Sequence, residues 1–162
     1  MPYLIETSDY EVIKKKLKEA KFKKYVIDDS QYLMAFELFA KAKQSGYSKF
    51  TDIAVHYQDL VATIINDTPK DCIVYILNHV DETTNGKIKM KTVGQMLDNQ
   101  LTPEGLFTIV LMSFYSNKTY KFMTQTDGRT PCKSPMEMFD SLEIDNDLKF
   151  VDNKIREYYS LV

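Results

Sequence analysis

Glycine, proline, cysteine and histidine are all scarce in this chain, and each shortage excludes something. The 162 residues include five glycines, five prolines, two cysteines and two histidines. So few glycines and prolines argue against a chain dominated by disorder. Two separated thiols, Cys72 and Cys132, suit a reducing cytoplasm better than a disulfide framework. With only His56 and His79 besides, no Cys/His spacing resembles a zinc site. No long apolar run occurs, which argues against a membrane span. The opening MPYLIETSDYE lacks the basic-then-apolar profile of a secretory signal. A dominant charge is missing too: 21 basic against 23 acidic residues leave a formal net charge of −2. No global field therefore points to nucleic acid, and any such contact must come from a local patch. No internal repeat or low-complexity tract is visible. What remains is enough for one globular domain, 1–162, with a real core, since 44% of the residues are apolar.

Periodicity places the elements. Ser8-Asp9-Tyr10-Glu11 is a capping-box pattern, and Val12, Ile13, Leu17 and Ala20 follow at helical spacing, so a helix is expected over about 8–20. A short strand is expected over 23–28. The segment Gln31–Gln44 carries Leu33, Met34, Phe36, Leu38 and Phe39 and reads as a well-buried helix stopped by Ser45-Gly46. A second long helix, Phe50–Ile65, puts Ile53, Tyr57, Leu60, Val61 and Ile64 on one face. CIVYIL, 72–77, has the continuous apolar, β-branched character of a central strand covered on both faces. Asn85-Gly86 signals a tight turn. Residues 106–115 and 119–126 read as two strands joined at Ser116-Asn117-Lys118, and the tail from Asn146 as a helix with Leu148, Val151, Ile155 and Tyr158 on one face. Helices first, with strands between them, indicate an α/β class, and the late hairpin adds an antiparallel piece.

Four places carry candidate chemistry. KKYVIDDSQYLM, 23–34, ends an apolar strand in two acids. In an α/β sheet ligands sit at the carboxyl ends of strands. There Asp28 could hold Mg²⁺ through water, and Asp29 could position an attacking water. Equally, Asp29 or Ser30 could simply cap the next helix. Asn78-His79 ends the other apolar strand, where polar side chains could sense a phosphate or orient a water, or serve as ordinary hydrogen-bonded loop residues. Lys87, Lys89 and Lys91 recur at a spacing of two, so an extended segment shows all three on one face. That stripe could meet nucleic-acid phosphates or be a solvated hairpin face. Arg129 and Lys133, in TDGRTPCKSP, could reach a neighbouring subunit and stabilise transferred charge, or be plain surface cations. One motif is conspicuously missing: no GxxxxGK[ST] occurs, so these residues contain no backbone cradle for β- and γ-phosphates.

Several phrases together resemble one family: YVIDDSQYLM, GYSKFTDIA (46–54), VYILNHVDE (74–82), KMKTVGQMLDNQLTPEGLFTIVL (89–111), TQTDGRTPCKSPMEMF (124–139) and IDNDL (144–148). Their order is similar to that in phage-encoded RecA-like ATP-binding proteins of DNA recombination, the Sak-type single-strand annealing ATPases. The resemblance runs from about Pro2 to the C-terminal helix. It implies a RecA/AAA-like P-loop NTPase core without its first strand and phosphate loop, ending in a β-hairpin and helix. It implies Walker B acids at Asp28 and Asp29, with Mg²⁺ at Asp28 if anywhere, and a sensor at Asn78 and His79. The Lys87–Lys91 region would be a DNA-facing loop, and Lys133 would act across a subunit interface. Family members place a strand, a Walker A loop and a helix ahead of the segment matching PYLIETSDYE, and this chain starts after them. The absent strand would lie beside 72–77, so Phe107–Ser113, or a second chain, is expected to close that edge.

Two functional expectations follow from the resemblance. In one, the chain is part of a phage recombination ATPase working in the bacterial cytoplasm. No cofactor is then expected for the chain alone, Mg-ATP binds if the phosphate loop comes from elsewhere, and partners are further copies of the chain and single-stranded DNA. In the other, a shortened ATPase domain is an interaction module that inhibits a host defence system, as anti-CRISPR proteins do, or regulates the phage's own recombination machinery.

Overall fold

The structure, a computed structural model, describes residues 3–94, 97 and 101–161. It is mixed α/β, with four helices and three small sheets among the described residues. The chain forms two compact units, Met1–His79 with Lys91–Leu101, and Val80–Met90 with Thr102–Val162.

The first unit contains α1 (Tyr10–Glu19), β1 (Lys24–Ile27), α2 (Gln31–Ala40), α3 (Ser48–Asp67) and β2 (Ile73–Ile76). Asp9 rather than Ser8 caps α1, its carboxylate accepting from the Glu11 and Val12 N–H groups. β1 and β2 run parallel, in register from Lys24 opposite Ile73 to Ile27 opposite Ile76. A parallel pair needs a long crossover, and α2 and α3 supply it. The apolar stripe of α3 buries Ile53, Ala54, Tyr57, Leu60 and Val61 and packs on α1 and α2. Leu17, Leu33 and Leu60 form a core against which Tyr25 and Ile27 of β1 and Val74 of β2 rest.

Burial leaves one local conflict in this unit. The Tyr10 hydroxyl and Glu37 Oε2 are buried without a hydrogen-bond partner among the described residues. Burial holds the Tyr10 phenol well above its ordinary value, and the nearby charge of Glu37 adds to the shift. The folded state therefore keeps that proton more tightly than the unfolded chain. Its contribution to stability is complete below about pH 10, the unfolded phenol's pKa, and is lost as pH rises beyond it. Tyr10→Phe removes the unpaired hydroxyl. It is expected to stabilise the protein by about 1 kcal/mol at neutral pH and to flatten the alkaline loss, both measurable by urea unfolding at several pH values.

The second unit opens with a hairpin, β3 (Val80–Glu82) and β4 (Ile88–Met90), in which Asp81 stands opposite Lys89. Gly86 takes a φ of +78° in the connecting turn, which explains the Asn85-Gly86 signal. A short 3₁₀ turn at Pro103–Leu106 precedes the antiparallel sheet β5 (Met112–Ser116), β6 (Thr119–Met123) and β7 (Glu143–Asp145). Finally α4 (Leu148–Tyr159), capped by Asp147, buries Val151 and Ile155.

Two expectations about the edge of β2 need correction. Among the described residues β2 pairs with β1 alone, and its residues are half-buried, so it is not a central strand covered on both faces. Phe107–Ser113 does not close its edge. Met112 and Ser113 pair with Met123 and Phe122 of β6, and Val110 forms a bridge to Lys133. The hairpin closes through a tight local turn, which costs far less chain entropy than bringing that segment to a distant strand.

Candidate functional site

The parallel register carries both polar strand ends to the same place. Where β1 stops, Asp29 adopts a left-handed φ of +51°, a conformation that aspartate tolerates better than most residues. The chain thereby turns from strand into α2. Two backbone bonds fasten the turn to the end of β2: the Leu77 N–H donates to the Ile27 carbonyl and the Ser30 N–H to the Leu77 carbonyl, both at 2.9 Å.

Side chains then join the two ends. Ser30, 1% exposed, donates its hydroxyl to Asn78 Oδ1 at 2.7 Å and lies 3.2 Å from the Tyr57 hydroxyl. Gln31, 4% exposed, bridges the pair of motifs. Its Nε2 donates to Asp29 Oδ1 at 3.3 Å, and its Oε1 accepts from the His79 N–H at 3.1 Å. His79 Nε2 lies 3.2 Å from the same Asp29 oxygen. The Tyr32 ring meets the imidazole edge-on at 6.1 Å. Asn78 Nδ2 donates to the carbonyls of His79 and Lys91, so both ends of its amide are engaged.

This arrangement bears on the cap reading alone. Ser30 occupies the N-cap position of α2 without a side-chain cap bond, and the Asp29 carboxylate is turned to His79 and Gln31. Ser30 is thus the N-cap residue by position, but neither side chain makes a cap hydrogen bond. Asp28 is exposed and has no side-chain partner among the described residues. For magnesium the donor set is thin but suitable, because Mg²⁺ usually takes one or two carboxylates and completes its shell with water and phosphate. Asp28 would hold the ion and Asp29 would stay on the imidazole. The ion would neutralise phosphate charge there. Among the described residues no group of three or more His, Cys, Asp or Glu is placed to hold a metal by itself. Sequence reasoning missed Ser30, Gln31 and Tyr57. Ser30 and Gln31 directly follow the acids, but nothing in their spacing announces that they are buried.

The remaining candidates lie elsewhere. Lys87 and Lys89 belong to the second unit and Lys91 to the first. Lys91 continues the backbone pairing, its N–H donating to the His79 carbonyl at 2.8 Å. In the second unit, Asp127 accepts from the Arg129 and Thr130 N–H groups, which holds its carboxyl below the usual range. Arg129 reaches back to the β3–β4 hairpin, donating Nε to the Gly86 carbonyl at 3.1 Å and pairing with Glu82 at 3.3 Å. Lys133 is half-buried, and its ammonium donates to the Gly105 carbonyl at 3.4 Å. No described helix is long and apolar enough to cross a membrane. Compared with known proteins, the chain matches no family model, no curated protein and no solved structure.

Proposed function

We propose that this chain is part of a RecA-like phage recombination ATPase, in which Asp28 and Asp29 are the Walker B acids and Asn78 and His79 the sensor. One observation carries the reading: two adjacent parallel strands end side by side in these four residues, and Gln31 ties Asp29 to His79. In nucleotide hydrolysis such a pair places an Mg²⁺-holding acid next to a group that registers the terminal phosphate. Asp28 would hold the metal, and Asp29 would position the imidazole of His79 toward the water or phosphate. No phosphate loop exists within the 162 residues, so the chain by itself does not hydrolyse ATP. Lys133 as a residue acting across subunits, and Lys87, Lys89 and Lys91 as a DNA contact, belong to the same proposal.

The test joins biochemistry to genetics. The DNA upstream of the Met1 codon is expected to continue in frame through a GxxxxGK[ST] sequence. Protein extended by that segment is expected to hydrolyse ATP, and Asp28→Asn in the extended protein to abolish turnover while leaving the fold intact. Hydrolysis that survives Asp28→Asn would remove the Walker B assignment. Micromolar Mg-ATP binding by the 162 residues alone, lost in Asp28→Asn, would overturn the view that the cradle lies outside them.

A further inference from the structure

The densest basic stretch of the chain is residues 14–24, along α1 and into β1. Seven of these eleven residues are lysine, a third of the chain's 21 basic residues, and only Glu19 among them is acidic. Five carboxylates pair with the lysines, those of Glu11, Glu19, Asp59, Asp67 and Asp71, which leaves lysine in excess. Ion pairs of this kind at a surface are weak and screened by salt, so a phosphate can take the place of a carboxylate. Three of the lysines gather at one point. Lys16 above all, and then Lys21 and Lys15, hold the Glu19 carboxyl below its ordinary range. Lys16 lies 3.0 Å and Lys21 3.8 Å from that carboxylate.

Exposed rings stand beside these lysines. Tyr3 is 67% and Phe22 46% exposed. Their ring centroids lie 5.8 Å apart at a tilt of 30°, and Tyr25 meets Phe22 edge-on at 6.0 Å. The Phe22 N–H donates to the Tyr25 hydroxyl at 3.3 Å, and the neighbouring Lys23 carbonyl accepts from the Ile73 N–H at 2.9 Å. Phe22 is therefore fixed at the start of β1. Lys16 reaches the same rings: its bond to Glu19 is the main cause that raises its pKa, and Tyr3 and Tyr25 are near enough to add to the shift. We infer that Tyr3, Phe22, Lys15, Lys16 and Lys21 form a binding site for single-stranded nucleic acid. Unpaired bases stack on exposed rings whatever their sequence, while lysines follow the phosphates. An apolar partner would strand the ammonium groups, and an acidic peptide would leave the rings uncovered. A duplex keeps its bases stacked within itself. The site shares no residue with the strand-end acids or with Lys87, Lys89 and Lys91, so it does not depend on the ATPase proposal.

Fluorescence anisotropy of the full chain with labelled oligo-dT, at several salt concentrations, tests it. Oligo-dT is expected to bind more tightly than a duplex of the same length, with an affinity that falls as salt rises. Tyr3→Ala, at an exposed position, is expected to weaken binding about tenfold and to leave the salt slope unchanged. Lys15→Ala combined with Lys21→Ala is expected to make the slope shallower by about 0.7 for each lysine. Circular dichroism verifies that each variant is folded. Absence of oligo-dT binding at low salt overturns the inference, and so does a duplex bound as tightly as the single strand. Binding that Tyr3→Ala leaves untouched, while Lys87→Ala with Lys89→Ala abolishes it, assigns the strand to the hairpin and overturns the site. Tighter binding to phosphatidylserine vesicles than to oligo-dT overturns it equally, because the rings and lysines then serve a lipid surface.

Discussion

Leu60→Ala is expected to destabilise the protein by about 3 kcal/mol, because the cost of a lost core leucine combines transfer and residual-cavity terms. Leu60 is 1% exposed on α3 and joins Leu17 of α1 and Leu33 of α2 in one cluster. Tyr25, Ile27 and Val74, from the two strands, pack against that cluster. Three helices and both strands thus meet at one cluster, so the space vacated there cannot close without moving several elements. Val55, five residues earlier on the same helix, is 50% exposed. Val55→Ala is expected to change stability by less than about 0.5 kcal/mol. Urea unfolding of both variants, read as midpoint at constant m-value, makes the comparison. A Leu60→Ala midpoint as mild as that of Val55→Ala would mean that the cluster does not hold the first unit together. Because the strand ends that carry Asp28 and Asn78 rest on this cluster, loss of the core would also loosen the candidate site.

Gln31→Leu is expected to cost about 2 kcal/mol, although leucine has nearly the same size and a better fit to a buried helix position. The cost is polar. The substitution leaves the His79 N–H without its acceptor and takes from Asp29 the Gln31 donor, and each lost hydrogen bond costs about 0.5–1.5 kcal/mol net. Stability falls, and the His79 ring resonances should shift by NMR as its attachment to Asp29 slackens. Gln31→Glu separates the two halves of the effect. It keeps an acceptor for His79 but sets a second carboxylate against Asp29. Its deficit relative to the parent should therefore shrink as pH falls and the new carboxyl is protonated. A Gln31→Leu variant as stable as the parent, with unchanged His79 resonances, would show that the bridge carries neither stability nor geometry.

Much of the secondary structure was legible in the chain because local rules wrote it. The apolar spacing of α3 placed a helix over 50–65, and the structure extends it to Ser48–Asp67. Asn85-Gly86 marked a turn that a positive φ at Gly86 requires. The strand at 23–28 and the apolar run at 72–77 both appear, trimmed to Lys24–Ile27 and Ile73–Ile76. Helix α2 stops at Ala40, short of the expected Gln44. The strand expected over 106–115 is reduced to Met112–Ser116, because Pro103–Leu106 forms a 3₁₀ turn and only Val110 bridges between them.

By itself the sequence determined where chain direction changes, which faces of α1, α3 and α4 are apolar, and that Asp28-Asp29 and Asn78-His79 close two apolar strands. These are local properties, set by side-chain periodicity and by the few residues that tolerate a turn. Only the tertiary structure decided that β1 and β2 are parallel neighbours, since pairing depends on how the helices between them pack. That pairing brings Asp29, Gln31 and His79 within hydrogen-bonding reach and takes the Asp29 carboxylate away from the helix cap that local sequence allowed. The same packing leaves Tyr32, Phe36 and Phe39 outward on a helix whose composition alone predicts burial, because the core inside α2 is already filled by Leu33 and Met34.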